Sequence, residues 1–233
     1  MNNPLSISLG YIYRLLPDKP EFINESIKRI KDLPVNGVEL AFQSQKRLDK
    51  LKLNDESIDF LSRLKHNTIH SPHLIEKNEP VLSKLEEIYK LVNAKNLVVH
   101  HSPIIKDLLK HEFKVSIENN DSRDKFNSVK EMKTVLEDNP ELGLVFDLAH
   151  GYEAHGDNGL EFLDEFKEQL VECHVSILDN WNHWFLHLSN VDELMTEFKK
   201  RVRSNVILVN ESVIWKEEQV NYFKPELDYL RCL

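Results

Sequence analysis

Short apolar runs alternate with longer stretches whose apolar residues recur at helical spacing, from one end of the chain to the other. Leu5 to Leu9 (L-S-I-S-L) reads as a first strand, followed by a helical pattern through Phe22, Ile23, Ile27 and Ile30. Gly37 to Phe42 (G-V-E-L-A-F) is the second strand, and Ile58, Leu61 and Leu64 mark the helix behind it. Thr68 to His70 predicts a short third strand. Pro80 then stands near the start of a helix carrying Leu82, Leu85, Ile88, Tyr89 and Val92 on one face. Asn96 to His100 (N-L-V-V-H) is the fourth strand, and Pro103 opens a short helix reaching Leu109. Lys114 to Glu118 is the fifth, with a helix from about Asp124 to Leu136 after it. Leu144 to Asp147 is the sixth, ahead of Leu160, Phe162, Leu163 and Phe166. Val171 to Val175 is the seventh, ahead of Val191, Leu194, Met195 and Phe198. Asn205 to Glu211 is the eighth, and a helix through Val220 and Phe223 runs toward Leu230.

Eight strand and helix units in 233 residues predict an α/β protein, a single (β/α)8 TIM barrel over residues 1–233, rather than a doubly wound sheet. No Pro/Gly/Ser-rich linker or charge block divides the chain. A hydrophobic share of 41% and a charged share of 30% allow a sizeable core in a soluble protein. Met1-Asn2-Asn3-Pro4 is no secretory leader, and no apolar run approaches the roughly 20 residues of a membrane span. A cytoplasmic protein with no membrane partner is expected. Cys173 and Cys232 are too few for a disulfide framework, and Cys173 reads as a buried free thiol. A formal net charge of −9 argues against a general nucleic-acid binder, though not against a local basic groove. Nothing in the sequence specifies an oligomeric state.

The candidate chemistry lies where the predicted strands end, since a TIM barrel carries its active site at the C-terminal ends of its strands. The third ends on His70, the fourth on His100 and His101, and the fifth on Glu118. The sixth ends on Asp147 with His150 three residues on, the seventh on His174 and the eighth on Glu211. A lone histidine there is ordinarily structural, and a lone carboxylate is often a helix cap. Six successive ends of metal-ligand type are another matter, because such residues are seldom buried without a partner. Glu118, Asp147, His174 and Glu211 form the core set. His101 is the weaker of its pair, since neighbours on a strand point to opposite faces. His66, His111 and His155 sit in polar contexts and read as surface. Glu39, inside G-V-E-L-A-F, can face the barrel interior in a substrate pocket or in a structural hydrogen bond.

The segments I-H-S-P-H, V-V-H-H-S, S-I-E-N, V-F-D-L-A-H, C-H-V and V-N-E, in that order, resemble the xylose isomerase-like TIM barrels. That superfamily includes sugar isomerases and epimerases and the apurinic endonuclease IV enzymes. The resemblance implies that Glu118, Asp147, His174 and Glu211 surround one divalent metal (Mn, Zn, Mg or Co). In the sugar-handling branch the two glutamates also move the substrate's proton while the metal holds adjacent oxygens. The endonuclease branch adds ligands for a cluster of two or three zinc ions, and His70, His100, His150 and His183 match them. That branch has Asp two residues before the last histidine, where this chain has Trp181, and Asp179 is out of register. Trp181 and Trp184, in D-N-W-N-H-W-F-L-H-L, can wall a pocket for a sugar face or a flipped-out base, or simply pack within a loop.

The leading expectation is therefore a divalent-metal sugar isomerase or epimerase acting on a small polyol, keto-sugar or related hydroxy compound. Glu118 and Glu211 would be its acid and base, and His150 would touch substrate or orient a ligand. The alternatives are a zinc phosphodiesterase acting at abasic sites in DNA and a non-catalytic metal-binding barrel.

Overall fold

Eight parallel strands close on one another in the computed structural model, which describes residues 3–12, 19–72 and 79–232. Met1, Asn2 and His73, the last of these closing the I-H-S-P-H segment, lie outside the described residues. The barrel strands are β1 (Leu5–Ser8), β2 (Gly37–Ala41), β3 (Thr68–His70), β4 (Asn96–Val99), β5 (Val115–Glu118), β6 (Gly143–Asp147) and β7 (Leu170–Val175). A hairpin of β8 (Ile177–Asp179) and β9 (Asn182–Trp184) follows, and then β10 (Ile207–Asn210), which pairs with β1 and closes the ring. The expected TIM barrel is thus the observed fold, with predicted strand ends within a residue or two of the observed ones. The hairpin was not expected. Among the described residues no helix is long and apolar enough to cross a membrane.

Side chains alternate along a strand, so each strand offers one face to the helices and one to the barrel interior. The helix-facing set, including Ile7, Leu40, Leu97, Ile117, Leu144, Phe146 and Leu208, is buried in the main apolar core. That core includes Phe22, Ile23, Ile27 and Ile30 of the helix Phe22–Ile30, and Leu82, Leu85 and Ile88 of Glu79–Leu91. The interior set is largely polar instead, with Val98, Val145 and Val209 among it. Thr68 Oγ1 and Asn96 Nδ2 donate to Glu172 from across the barrel, at 3.1 Å each, and Ser116 Oγ donates to Asn96 Oδ1 at 2.7 Å. A TIM barrel usually fills this space with branched apolar side chains, so the substitution marks a barrel organised around charge.

Two local features set which side chains reach that interior. The helix after β5 runs from Val129 to Asp138, later than its predicted start near Asp124. Ser128 caps it, accepting from Glu131 N, while Glu131 Oε2 accepts from Phe126 N and Ser128 Oγ, so residues 119–127 stay a loop over the strand ends. In β7, Leu170 pairs with Leu144 but Glu172 pairs with Val145, leaving Val171 as a bulge. The extra residue moves Glu172 and His174 onto the interior face and leaves Cys173 in the outer core.

Phe162 is buried between Phe146 and Phe166, with ring centroids at 5.7 and 5.9 Å, on the helix side of β6. Phe162→Ala should cost about 3–5 kcal/mol by urea unfolding and leave metal binding at the strand ends intact. Loss of both together would show that the outer core and the site do not separate.

Candidate metal centre

His174, the fifth residue of β7, stands at the centre of the polar interior and is fully buried. Its Nδ1 faces upward, 3.2 Å from Glu118 Oε1, 3.3 Å from Glu211 Oε2 and 3.9 Å from Asp147 Oδ2. Its Nε2 faces downward, 3.2 Å from Glu39 Oε2 and 3.5 Å from Glu172 Oε1. Five carboxylates therefore surround one imidazole. Donors bound at about 2.0–2.2 Å to one ion stand about 3–3.6 Å apart; Glu118 and Glu211 stand so from His174 Nδ1, and all four residues of the upper group offer ligand atoms within 4.8 Å of one another.

Each ligand candidate is held from behind. Asp147 ends β6 and caps the helix Leu148–His155, its Oδ1 accepting from His150 N at 2.8 Å. Its Oδ2 is buried without a hydrogen-bond partner, as expected of an oxygen reserved for a cation. Asn119, on the loop after β5, accepts from Asp147 N at 2.7 Å and donates to Asp147 O at 3.1 Å, tying the two strand ends together. Its own carbonyl receives His150 Nδ1 at 3.1 Å, which fixes that ring's tautomer.

The flanking histidines form a second tier. His70 Nε2 is 2.8 Å and His100 Nε2 3.5 Å from Glu118 Oε2, the oxygen turned away from His174. Asn120 Oδ1 receives His100 Nδ1 at 2.8 Å. His183 on β9 bonds Ser176 Oγ at 2.7 Å and groups with Asp147 and His150 as a further possible ligand set. Asp179 is exposed and accepts from Asn180, so it does not complete that set. His101 turns outward and stacks on Phe126 at 3.5 Å. Of the three histidines read as surface, His155 is exposed, His66 is half-buried, and His111 is half-buried and paired with Glu86 at 3.1 Å.

Burial and charge pull the ionisable groups apart. Burial alone would hold His174 uncharged, but Glu211, Glu118 and Glu39 outweigh it and raise the imidazole well above the usual range. Burial would likewise raise Glu118, yet His174, His100 and His70 hold it well below an ordinary carboxylate. Burial wins at Glu211, which is pushed up to about 8. At His70 burial is overcome by Glu118, and the ring is raised to about 10. Burial dominates at His183, which falls to about 4.

A cavity of about 340 Å³ opens above the cluster, bounded by Tyr11, Phe42, Gln43, Arg123, Trp181 and Val213 among others. Trp181 joins this wall as expected, but Trp184 does not. Trp184 packs edge-on against Phe185 and Tyr222, at 5.6 and 6.5 Å, so it belongs to the loop packing. Glu39 does not line the cavity either: it lies beneath His174, in the barrel interior. Trp181 sits in the two-residue turn of the hairpin, where Asn180 and Trp181 have φ of 48° and 63°. Such turns favour Asn-Gly, and a bulky side chain at positive φ costs about 1–2 kcal/mol. The chain accepts that strain to put an indole, 56% exposed, at the cavity mouth with the Arg123 guanidinium 4.6 Å above it.

Tyr11, Arg123, Asn119 and Glu172 were not anticipated from sequence. Glu172 was legible, since it stands two residues before His174 and so shares its face. The other three follow strands or sit in loops, where no period points to a site.

No family model matches the sequence, and no curated protein matches it. Solved structures match along its whole length. A 3-keto-D-glucoside 4-epimerase, YcjR, from E. coli is 16% identical over 99% of this chain and 100% of that one, with a TM-score of 0.67. A D-tagatose 3-epimerase-like protein is 15% identical over 98% of each chain, with a TM-score of 0.64. An AP endonuclease, family 2, from Brucella melitensis is 13% identical over 96% of this chain and 98% of that one, with a TM-score of 0.63. At such identities the likeness is one of fold. The chain shares its (β/α)8 barrel fold with two epimerases or epimerase-like proteins and an endonuclease.

Proposed function

We propose that this barrel is a divalent-metal-dependent sugar isomerase or epimerase acting on a small polyol, keto-sugar or related hydroxy compound. The observation that carries the reading is the pair Glu118 and Glu211, which approach one nitrogen of His174 from β5 and from the end of β10, at 3.2 and 3.3 Å. Two carboxyl groups placed under one cavity can act as base and acid on a carbon between them. Glu118, Asp147, His174 and Glu211 would hold the ion, which would supply Lewis-acid polarisation of the substrate oxygens. Three carboxylates and one imidazole suit Mn, Mg, Co or Zn. The cavity's modest volume and its lining, in which Arg123 is the sole lysine or arginine among the described residues that bound it, favour a small neutral substrate over a phosphate backbone.

A second reading is a zinc phosphodiesterase acting on abasic DNA. It is favoured by one observation, the convergence of His70 and His100 on the outer oxygen of Glu118, which would suit a second ion. Metal analysis of the purified protein separates the two. About one ion per chain is expected, whereas two or three zinc ions with nicking at abasic sites would replace the first reading with the second.

Glu118→Gln should lower exchange of the substrate proton, followed by NMR with ketohexoses in deuterated water, by at least about 100-fold. A Glu118→Gln protein that binds metal and turns over at the wild-type rate would refute the assignment.

Trp181→Gly replaces a strained turn residue with the one the turn favours. Its thermal stability should equal or exceed that of wild type, while KM for the ketohexose rises several-fold. An unchanged KM would return Trp181 to loop packing.

Stability against pH follows from the raised groups. His70 is carried from 6.5 to about 10 and Glu211 from 4.5 to about 8, so the metal-free chain binds more protons folded than unfolded. Its stability must therefore fall as pH rises, through Glu211 from about 4.5 to 8 and through His70 from about 6.5 to 10. Tm of the metal-stripped protein should drop between about pH 6 and about pH 9, and added divalent metal should reduce that drop. A flat or rising profile would contradict the charge balance described here.

A further inference from the structure

Glu39, like Glu172, is a cluster carboxylate that neither lines the cavity nor belongs to the upper ligand group. It is fully buried, and neither of its oxygens has a hydrogen-bond partner. Ser8, its register neighbour on β1, offers a hydroxyl that is likewise buried without an aligned partner. A carboxylate removed from water without a donor is costly, so its retention calls for one. The nitrogen that faces it is His174 Nε2, 3.2 Å from Oε2 but off the line of a hydrogen bond, and itself without a partner. Glu172 approaches the same nitrogen at 3.5 Å, but each of its oxygens is already engaged, by Thr68 and by Asn96.

A neutral imidazole carries its proton on one nitrogen and its lone pair on the other. Nδ1 hydrogen-bonds Glu118 Oε1 at 3.2 Å in the metal-free geometry; a cation in the upper group would take that place and leave the proton to Nε2, above Glu39 and Glu172. We infer that Glu39 is a positioning residue for the metal centre: it accepts the Nε2 proton of His174 and so leaves the Nδ1 lone pair facing Glu118, Asp147 and Glu211. The inference rests on reading that upper group as a metal site. Glu39 touches neither substrate nor metal in this scheme and acts through the imidazole alone, as carboxylates behind histidine ligands commonly do.

The test uses zinc alone as probe, with Kd by calorimetry and the His174 tautomer by proton–nitrogen correlation of the imidazole. Wild-type protein with zinc should show the Nε2–H tautomer. Glu39→Gln can offer an N–H to Nε2 instead, and should weaken zinc binding about 10–100-fold with loss of the single tautomer. Its metal-free Tm should not fall, because a buried charge without an aligned donor has been removed. Glu39→Asp, which keeps the charge, should lie closer to wild type than Glu39→Gln. A wild-type protein that binds no zinc would overturn the metal reading itself. Unchanged Kd and tautomer in Glu39→Gln would overturn the role of Glu39 and leave that reading standing. Loss of one of two bound zinc ions in Glu39→Gln would also overturn it, by placing an ion between Glu39 and Glu172.

Discussion

Charge balance inside the barrel is the constraint on which the rest depends. Glu39, Glu118, Asp147, Glu172 and Glu211 are all buried, and they meet at one imidazole. A single imidazolium cannot neutralise five carboxylates, so the arrangement requires more positive charge, from further histidines, from protons or from a cation. Three additional histidines, His70, His100 and His150, stand in the adjacent layer where such charge is useful, whereas burial keeps His183 uncharged. A divalent ion at the upper group would meet the same need and displace the His174 proton, which makes metal binding and proton release one event.

The outer shell of the barrel does conventional work. Apolar residues on the helix-facing side of the strands pack against amphipathic helices, and this layer supplies the cohesion that lets the interior remain polar. The division shows at β6, where Phe146 enters the aromatic stack with Phe162 and the next residue, Asp147, enters the site. Strand alternation thus separates stability from chemistry by one residue.

Much of this was legible in the sequence because both periods, two for strands and 3.6 for helices, are read from apolar positions. The strand ends carrying His70, Glu118, Asp147, His174 and Glu211 followed from the same pattern. What escaped was set by backbone geometry or by contacts between distant segments. The hairpin turn carries Asn-Trp where a turn signal would be Asn-Gly, so sequence reading passed over it. Trp184, paired with Ile177 across the hairpin, was indistinguishable by composition from Trp181, and only the hairpin decides which indole faces the cavity. The later start of the helix at Val129 reflects a cap at Ser128 competing with an apolar pattern that seemed to run through it.

The bulge at Val171 has a consequence of a different kind. Up to Leu170 the strand presents the parity its neighbour β6 demands, and past Val171 the parity is reversed. Were Val171 to pair with Val145 in regular register, the face that carries Glu172 and His174 would swing toward the helices, bringing Cys173 to the axis: a thiol in place of an imidazole, with every residue of the chain unchanged. The identity of the central donor is therefore fixed by the register of one pairing as much as by the chemistry of the residues that pair.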